Sequence, residues 1–428
     1  MRNPPLGAER SGGARWGVVL LVAAALFLNY VDRGALPLAA PLIQDEMGFS
    51  ERQLGLLMSA FFWSYALLQI PAGWLAERIG AQRVLGAGLA LWSGATFLTG
   101  FAHSFTTLLL LRLVLGVGES AGFPSVSKVL ASVVPIGSLG RANGIVAFGY
   151  LFGPAVGTYI GGLLMVQFGW RSAFWVFGAL SLLWLLPWGR VQLPRPTRPA
   201  DAVHHPPLRE LLRQPALWAT SLGHFSSNYT FYFLLTWLPL YLVRERGFSM
   251  GAMANMAGRV YLLNALSALL AGWVIDRLIV RAGRADLVYK SSMVAAQIGA
   301  VACMLAMALG PPAWALGALF VYQFLLGVSS PGTFAISQIL AGPSAAGRWV
   351  GIQNAIANLA GVLAPALTGE LVQRTHHFTS AFALAAFISV LGIPAWGWMV
   401  RHVRPLPWSS PAGPSPRPAP PLLESSAP

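Results

Sequence analysis

Four ionisable residues interrupt long apolar stretches of this sequence. Asp32 and Arg33 lie in one stretch, and Arg112 and Glu119 lie in another. An arginine stays charged at physiological pH and offers a planar fork of donors that matches a carboxylate. A carboxyl group, in contrast, can take up a proton when burial or a lost cation changes its surroundings. These residue types predict a site that binds an organic anion and exchanges a proton beside it.

The spacing of the four residues does not allow an unstrained ion pair between Asp32 and Arg33 or between Arg112 and Glu119. Asp32 and Arg33 are neighbours and point about 100° apart on a helix, so each needs a partner from elsewhere. Arg112 and Glu119 share one helix face at a separation of roughly 10 Å, which would strain a direct ion pair. We expect each to serve a different layer of one cavity. Buried ion pairs that only hold helices together are the structural alternative.

The composition of the 428 residues predicts the elements that must position these charges. Hydrophobic residues make up 56% of the chain and charged residues only 10%, against about 25% charged in soluble domains. The apolar runs are continuous rather than alternating, which excludes a β-barrel. The predicted fold is an all-α membrane protein with twelve transmembrane helices of roughly 20 residues or more. The spans are 16–42, 51–76, 84–102, 105–134, 141–167, 172–190, 216–243, 250–278, 287–310, 313–341, 346–373 and 379–402.

The basic residues predict the orientation. With the N-terminus inside, 20 of the 28 Lys and Arg residues fall in cytoplasmic segments and 5 in outer loops. Cytoplasmic loops of membrane proteins carry such an excess, so both termini are expected to be cytoplasmic. The asymmetry accounts for the net charge of +14 without a nucleic-acid partner. We expect a multi-pass protein of a bacterial inner (cell) membrane, with its first span retained rather than cleaved as a signal peptide.

Internal repeats divide the chain into two halves. The segment 73–78 recurs as 272–277, segment 140–144 resembles 347–351, and Ser-Ala-Phe at 172–174 recurs at 380–382. The offsets are nearly equal, which predicts two copies of a six-helix unit in the same orientation around a central site. The predicted domains are a cytoplasmic N-terminus (1–15), an N-terminal bundle (16–190), a cytoplasmic interdomain loop (191–215), a C-terminal bundle (216–404) and a disordered cytoplasmic tail (405–428).

The glycine-framed motif between spans two and three resembles the loop 2–3 signature of the major facilitator superfamily. Its acid is glutamate where that family more often has aspartate. An acid at one helix end with arginines beyond it can latch neighbouring helices through salt bridges, so we interpret the motif as a gate. The residues assigned to gating are Gly73, Glu77, Arg78, Gly80 and Arg83, with Asp276 and Arg277 from the second copy.

A finer resemblance is to the anion:cation symporter family, which includes proton-coupled hexonate, hexuronate and glucarate transporters. It covers about residues 16–404 and is carried by NYVDR at 29–33, YALLQIPAGW at 65–74, RLVLGVGESAGFP at 112–124 and NYTFYFLLTWLP at 228–239. The resemblance implies that Asp32 and Glu119 are proton-coupling carboxylates. It also implies that Arg33 and Arg112 serve the substrate site and the carboxylate network.

Other polar residues inside the spans are candidates for substrate contact. Tyr30 and Tyr65 offer hydroxyl groups beside Arg33, and Asn354 and Asn358 share one helix face. A polyhydroxylated acid needs such donors and acceptors, although hydrogen bonding between helices is the structural alternative. The full set predicted to bind substrate is Tyr30, Arg33, Tyr65, Arg112, Tyr229, Tyr232, Gln338, Asn354 and Asn358.

These observations predict a transporter and not an enzyme. We expect it to import a small organic anion, such as a hexonate or hexuronate, with one or more protons by alternating access. The proton is the coupling ion; no other cofactor and no metal is expected, and one chain should function as a monomer.

Symport of another carboxylate, such as an aromatic acid or a dicarboxylate, is the alternative. The run Gly149, Gly153, Pro154 and Gly157 resembles a motif of drug–proton antiporters, and proton-driven export is the third alternative. We interpret the run instead as close helix packing with a proline kink. The alternatives from other classes of protein are a membrane sensor and a membrane-embedded enzyme.

Overall fold

A computed structural model of the chain describes residues 12–408, apart from residues 50, 194–205, 249 and 376. The predictions for residues 1–11, for most of the interdomain loop and for the tail from residue 409 therefore concern residues outside this description. The described residues form helices joined by short connections, which confirms the predicted all-α fold.

The first half of the chain contains six membrane crossings. The fourth crossing consists of two helices separated by a break at residues 120–121, and the sixth ends in a short additional helix. The helices are α1 (Gly12–Met47), α2 (Glu51–Leu75), α3 (Ala81–Thr99), α4 (Phe105–Glu119), α5 (Gly122–Val133), α6 (Leu139–Phe168), α7 (Trp170–Leu183) and α8 (Leu185–Gly189).

The second half repeats this arrangement after a short helix on the connecting segment. Its fourth and fifth crossings are one continuous element that reverses direction at Gly342, where a φ of 63° requires the left-handed conformation that glycine adopts without strain. The helices are α9 (Leu208–Leu212), α10 (Pro215–Arg244), α11 (Met250–Ala282), α12 (Ala285–Leu309), α13 (Pro312–Thr375) and α14 (Thr379–Pro394). A further π-helical turn, Ala395–Met399, extends α14.

Length and apolar composition support these crossings. Eight stretches of the described helices are long and apolar enough to span a membrane, and one of them contains both arms of α13. Helices α2, α3 and α10 supply the remaining crossings with 25, 19 and 30 residues. At 1.5 Å per residue these helices are about 28 to 45 Å long, which is enough to cross a hydrocarbon core of roughly 30 Å. The described part of the chain thus contains two six-helix bundles in parallel repeat.

The two bundles pack closely near the end of the molecule where α1 begins and α14 ends, here called the terminal face. Helix α2 crosses the second arm of α13, and α6 crosses α11. The crossings need glycine, because a Cβ atom at Gly73 would lie 2.4 Å from the Gly347 carbonyl oxygen and one at Gly272 would lie 2.4 Å from that of Gly140. All four glycines belong to the repeated motifs of the sequence.

The glycine run on α6 packs against α1 within the first half. A Cβ atom at Gly149 or Gly153 would lie 2.7 Å from the carbonyl oxygen of Ala23 or Phe27, respectively. Small residues allow helix backbones to approach this closely in membranes. This contact supports the interpretation of Gly149 and Gly153 as packing residues.

Candidate functional site

A cavity lies between the two halves at the middle of the bundle. Its volume is about 60 Å³ in this conformation, which is room for a few water molecules. Aromatic rings, amides and hydroxyl groups line it, which suits a polar organic molecule. The lining residues are Tyr30, Tyr65, Phe123, Tyr150 and Leu151 from the first half, and His224, Asn228, Phe231, Tyr232, Leu326, Ser330, Phe334, Asn354 and Asn358 from the second.

Arg33 is held behind the tyrosines of this cavity. Its Nε donates a hydrogen bond of 2.6 Å to Glu119 Oε2, and the Glu119 side chain is fully buried. The guanidinium carbon lies 4.6, 4.8 and 4.4 Å from the ring centroids of Tyr30, Phe61 and Tyr65. Cation–π contacts of this kind fix the orientation of the planar group. The structure therefore supplies the partner that the sequence could not assign to Arg33.

Asp32 points in a different direction from its neighbour, as expected for adjacent residues of a helix. It is buried and accepts a hydrogen bond of 3.3 Å from Ser181 Oγ of α7. Thr96 of α3 lies beside the same carboxylate, and Arg112 is within electrostatic range of both Asp32 and Glu119. The four charges thus form one network inside the first half, which the spacing alone did not show.

Several polar atoms of this network have no hydrogen-bond partner among the described residues: Asp32 Oδ1, Glu119 Oε1 and one terminal nitrogen of Arg33. Buried polar atoms are nearly always paired, and unpaired ones cost free energy. The free carboxylate oxygens are positions where a proton can be held, and the free guanidinium nitrogen is a donor for an anion.

The second half contributes a chain of amides and hydroxyl groups. Tyr232 donates a 2.7 Å hydrogen bond to Asn358 Oδ1, and Asn358 donates to the Asn354 carbonyl oxygen at 2.8 Å. Asn354 reaches across the interface and donates to Gln69 Oε1 of α2 at 2.5 Å. The Gln69 side-chain nitrogen has no hydrogen-bond partner among the described residues. These groups link the halves beside the cavity and offer hydrogen bonds to a polar substrate.

An aromatic cluster joins the halves along another wall of the cavity. Phe123 stacks on Phe334 at 5.1 Å between centroids and contacts Tyr150 at 5.5 Å, and Phe334 meets the His224 ring edge-on at 5.3 Å. The residues predicted from the sequence to bind substrate do not include Phe123, Tyr150 or His224. A histidine within an apolar span was a usable signal, but without knowledge of its facing direction it does not distinguish a lining residue from a packed one.

The structure places the residues predicted to bind substrate at three depths. Five of them line the cavity: Tyr30, Tyr65, Tyr232, Asn354 and Asn358. Arg33 and Arg112 lie in the charge network behind it. Tyr229 and Gln338 are not among the lining residues; Tyr229 packs inside the second half, and Gln338 exchanges hydrogen bonds with Asn143 of α6. In this conformation, both contribute to packing and helix contacts rather than to the cavity wall.

The two acids predicted to act in gating both cross the interface at the terminal face. Glu77 accepts hydrogen bonds from the backbone N–H of Arg348 at 3.0 Å and from its guanidinium. Asp276 accepts from the backbone N–H groups of Gly140 and Arg141 at 3.0 and 2.8 Å. Asp276 thus meets the first turn of α6, which the helix dipole favours, and Glu77 meets the second arm of α13 six residues after Gly342.

The arginines and glycines of the predicted gate have other positions. Arg78 and Arg277 are exposed and lie over the rings of Trp74 and Trp273 four residues before them. Arg83 is also exposed. Gly80, with a φ of 99°, ends the π-helical turn after α2; the close approach of Gly73 is described above. Lys128 adds a further contact between the halves at this face by donating to the Pro343 carbonyl oxygen.

In the part of the chain that the structure describes, no group of three or more His, Cys, Asp or Glu side chains could hold a metal ion. The polar side chains that line the cavity offer hydroxyl, amide and imidazole groups.

Comparison with known proteins places this arrangement in a family. The sequence profile of the Major Facilitator Superfamily matches residues 22–365. A probable chloroplastic anion transporter of Oryza sativa subsp. japonica is 30% identical over 405 residues, which are 89% of this chain and 68% of the relative. A hexuronate transporter of Bacillus subtilis (strain 168) is 29% identical over 410 residues, or 91% of this chain and 94% of the relative.

A solved structure shows the same fold at lower sequence identity. The proton:xylose symporter XylE, bound to 6-bromo-6-deoxy-D-glucose, superimposes with a TM-score of 0.78 over 92% of this chain and 97% of its own, at 14% identity. At this identity the likeness describes the fold of the two bundles and not the ligand.

Proposed function

Because the chain belongs to the Major Facilitator Superfamily, a family of multi-pass membrane transporters and not of enzymes, we propose that it imports a small organic anion together with protons. The substrate class we propose is a sugar acid such as a hexonate or hexuronate. Import proceeds by alternating access, in which the two halves rock around the central cavity. The named relatives that transport anions, including the hexuronate transporter, support this class.

The observation that carries the proposal is the Arg33 guanidinium. It lies behind cavity tyrosines, is oriented by three aromatic rings, and forms an ion pair with the buried carboxylate of Glu119. An arginine with a free nitrogen and a fixed plane is suited to bind a carboxylate through two parallel hydrogen bonds. The amides and hydroxyl groups of the second half are suited to the hydroxyl groups of a sugar acid.

The same pair supports proton coupling. When a substrate carboxylate binds Arg33, Glu119 loses its cationic partner and becomes a site for a proton. When Glu119 is protonated, Arg33 is released to bind the anion. Each event favours the other, and such reciprocal coupling between two sites is what symport requires. Asp32 is the second carboxyl group of this network, and Arg112 stabilises both acids in their ionised state.

We propose that the terminal face is cytoplasmic and that the protein resides in a bacterial inner membrane. The excess of Lys and Arg on that side supports this orientation. One chain contains residues from both walls of the cavity, which supports function as a monomer.

Uptake into proteoliposomes tests the proposal. Glucuronate or gluconate should accumulate when an inward proton gradient is imposed, and a protonophore should abolish accumulation. Glu119→Gln should lose gradient-driven accumulation while still exchanging external for internal substrate. Glu370→Gln is the matched control, because Glu370 pairs with Arg374 on the surface. Full accumulation by Glu119→Gln would contradict the coupling role, and accumulation driven by an outward proton gradient would indicate export.

A second substrate class, an aromatic carboxylate, is favoured by the rings that line the cavity. Tyr30, Tyr65, Phe123, Phe231 and Phe334 could stack on a planar substrate. A thermal-shift panel of sugar acids, aromatic acids and dicarboxylates separates the classes, because the ligand that binds the folded protein raises its melting temperature.

A further inference from the structure

His224 is a titratable residue of the cavity wall that the coupling mechanism does not use. It lies on α10, is buried, and lines the cavity opposite the charge network. Asn228 lies one helical turn further along and lines the same cavity. The second half thus presents an imidazole and an amide on one helix face.

The hydrogen bonds of Gln353 determine how this imidazole is protonated. Ser337 Oγ lies 2.5 Å from Gln353 Oε1, and the Thr333 carbonyl oxygen, which can only accept, faces the other end of the amide and identifies it as the nitrogen. That nitrogen lies 3.4 Å from the Thr333 carbonyl oxygen and 3.4 Å from His224 Nδ1. An amide nitrogen only donates, so His224 Nδ1 must accept. The imidazole is then neutral, and its proton is on Nε2.

The ring is also held in place. Phe334 meets it edge-on, and Phe334 in turn stacks on Phe123 of the first half. With Nδ1 occupied by Gln353, the remaining nitrogen is the one available to a ligand in the cavity. A hydrogen-bond partner on one ring nitrogen that fixes the tautomer of a functional histidine is a recurrent arrangement.

The charges around the cavity are distributed unequally. The arginines and acids of the network all belong to the first half. Among the described lining residues, the second half contributes no Asp, Glu, Lys or Arg. A substrate whose carboxylate binds Arg33 therefore meets only neutral groups at its other end.

We propose that His224 is a substrate-binding residue which, as a neutral Nε2–H donor, binds a hydroxyl or carbonyl oxygen at the end of the substrate remote from Arg33. The inference rests on the proposed function and narrows its substrate class to sugar acids with one carboxylate. A dianion such as glucarate would bring its second carboxylate to a wall without a cation. A monocarboxylate without hydroxyl groups would leave the donor unpaired, which sites built for hydrogen bonding reject.

Nitrogen NMR of the purified transporter with labelled histidine tests the tautomer without any substrate. The His224 signals, assigned by their loss in His224→Gln, should show a neutral ring protonated on Nε2 between pH 5.5 and 8. A His224 that becomes doubly protonated in this range, or that carries its proton on Nδ1, overturns the inference. This result does not depend on which anion is transported.

Ligand binding tests the role. In the wild type, gluconate should bind at least about tenfold more tightly than glucarate or hexanoate, as expected for one good hydrogen bond against an unpaired group. His224→Leu should lose this preference over hexanoate, whereas His224→Gln should retain most of it, because its side-chain amide can place a donor near the position of Nε2. His402→Gln, at an exposed histidine, is the control for the general effect of histidine replacement.

The outcomes distinguish this inference from the proposed function. If no carboxylate binds the wild type, the proposed function is refuted. The NMR measurement still shows which ring nitrogen of His224 carries the proton. If gluconate binds and His224→Leu keeps the full preference over hexanoate, or if glucarate binds more tightly than gluconate, the role of His224 is refuted and the proposed function stands. Loss of folding in His224→Leu would be visible as a lowered melting temperature without ligand; the wild-type and His224→Gln affinities then decide.

Discussion

Arg33 illustrates how a single residue acquires its role from its surroundings. Three rings and one carboxylate fix its guanidinium, and the carboxylate comes from a helix distant in sequence. The cation is thereby available to a ligand without being free in the hydrocarbon, where an unpaired charge is costly. In the proposed mechanism, the same contact makes the protonation of Glu119 depend on the anion that binds Arg33.

Arg33→Lys should weaken substrate binding by about 10- to 100-fold although the positive charge is kept. A lysine ammonium is a point charge that neither stacks between the rings nor donates two parallel hydrogen bonds. Thermal shift or counterflow with the transported anion measures the loss. Arg374→Lys, at an exposed arginine, should bind like the wild type. Equal affinity of Arg33→Lys and the wild type would show that the guanidinium does not contact the substrate.

The ends of equivalent helices in the two halves make similar contacts through an acidic side chain. Glu46 near the end of α1 accepts hydrogen bonds from Trp170 and Arg171 at the start of α7, at 2.7 and 2.6 Å. Glu245, after the end of α10, accepts from the backbone N–H of Phe378 just before α14 at 2.8 Å. In each half, an acid after the first crossing thus ties it to the start of the sixth.

The contact between α1 and α7 should depend on pH. Hydrogen bonds from Arg171 and Trp170 lower the pKa of Glu46. A carboxyl whose pKa is lowered by folding stabilises the folded state above its unfolded pKa, and this contribution is lost as the pH falls through the lowered value. Because Glu46 is half exposed, Glu46→Gln should lower the melting temperature by only about 1–2 °C at pH 7.

The difference between Glu46→Gln and the wild type should shrink as the pH is lowered from 7 to about 4 and below. Melting curves of the detergent-solubilised protein across this range provide the measurement, with Glu370→Gln as the control. A difference that stays constant with pH would mean that the side chain contributes through packing rather than through its charge.

The whole molecule is closed at the terminal face by contacts between its halves. Glu77 and Asp276, from the two copies of one motif, each accept backbone hydrogen bonds from a helix of the other half. The glycines beside them let the helices approach until the backbones touch. The proposed alternating access requires these contacts to break and reform, so their strength would set the population of the closed state.

Asp276→Asn should favour opening of the terminal face. An amide caps α6 less well than a carboxylate, and weakening a cap costs about 1 kcal/mol, which corresponds to an open population about fivefold larger. The rate of maleimide labelling of Ala142→Cys in a Cys303→Ser background measures this open population, because Ala142 is fully buried near this interface. Labelling should be several times faster with Asp276→Asn.

The control for this measurement is Asp286→Asn. Asp286 accepts a hydrogen bond of 2.9 Å from the backbone N–H of Val403. Both residues belong to the second half, so this contact does not join the halves. It should leave the labelling rate unchanged. Equal rates for Asp276→Asn and the unmodified background would show that this cap does not limit opening.

The sequence by itself determined the crossings, the duplication and the identity of the charged residues. Apolar length and repeated motifs are local properties of a chain in a bilayer, where each helix satisfies its own backbone hydrogen bonds. The cost of charge in hydrocarbon made Asp32, Arg33, Arg112 and Glu119 conspicuous without any coordinates.

Only the tertiary structure decided which groups meet. The rotation of each helix about its axis and its depth in the bundle bring Glu119 to Arg33 and Ser181 to Asp32, turn Gln338 toward Asn143, and set His224 against Gln353 at the cavity. These choices depend on packing between helices far apart in sequence, which residue spacing within one helix does not encode.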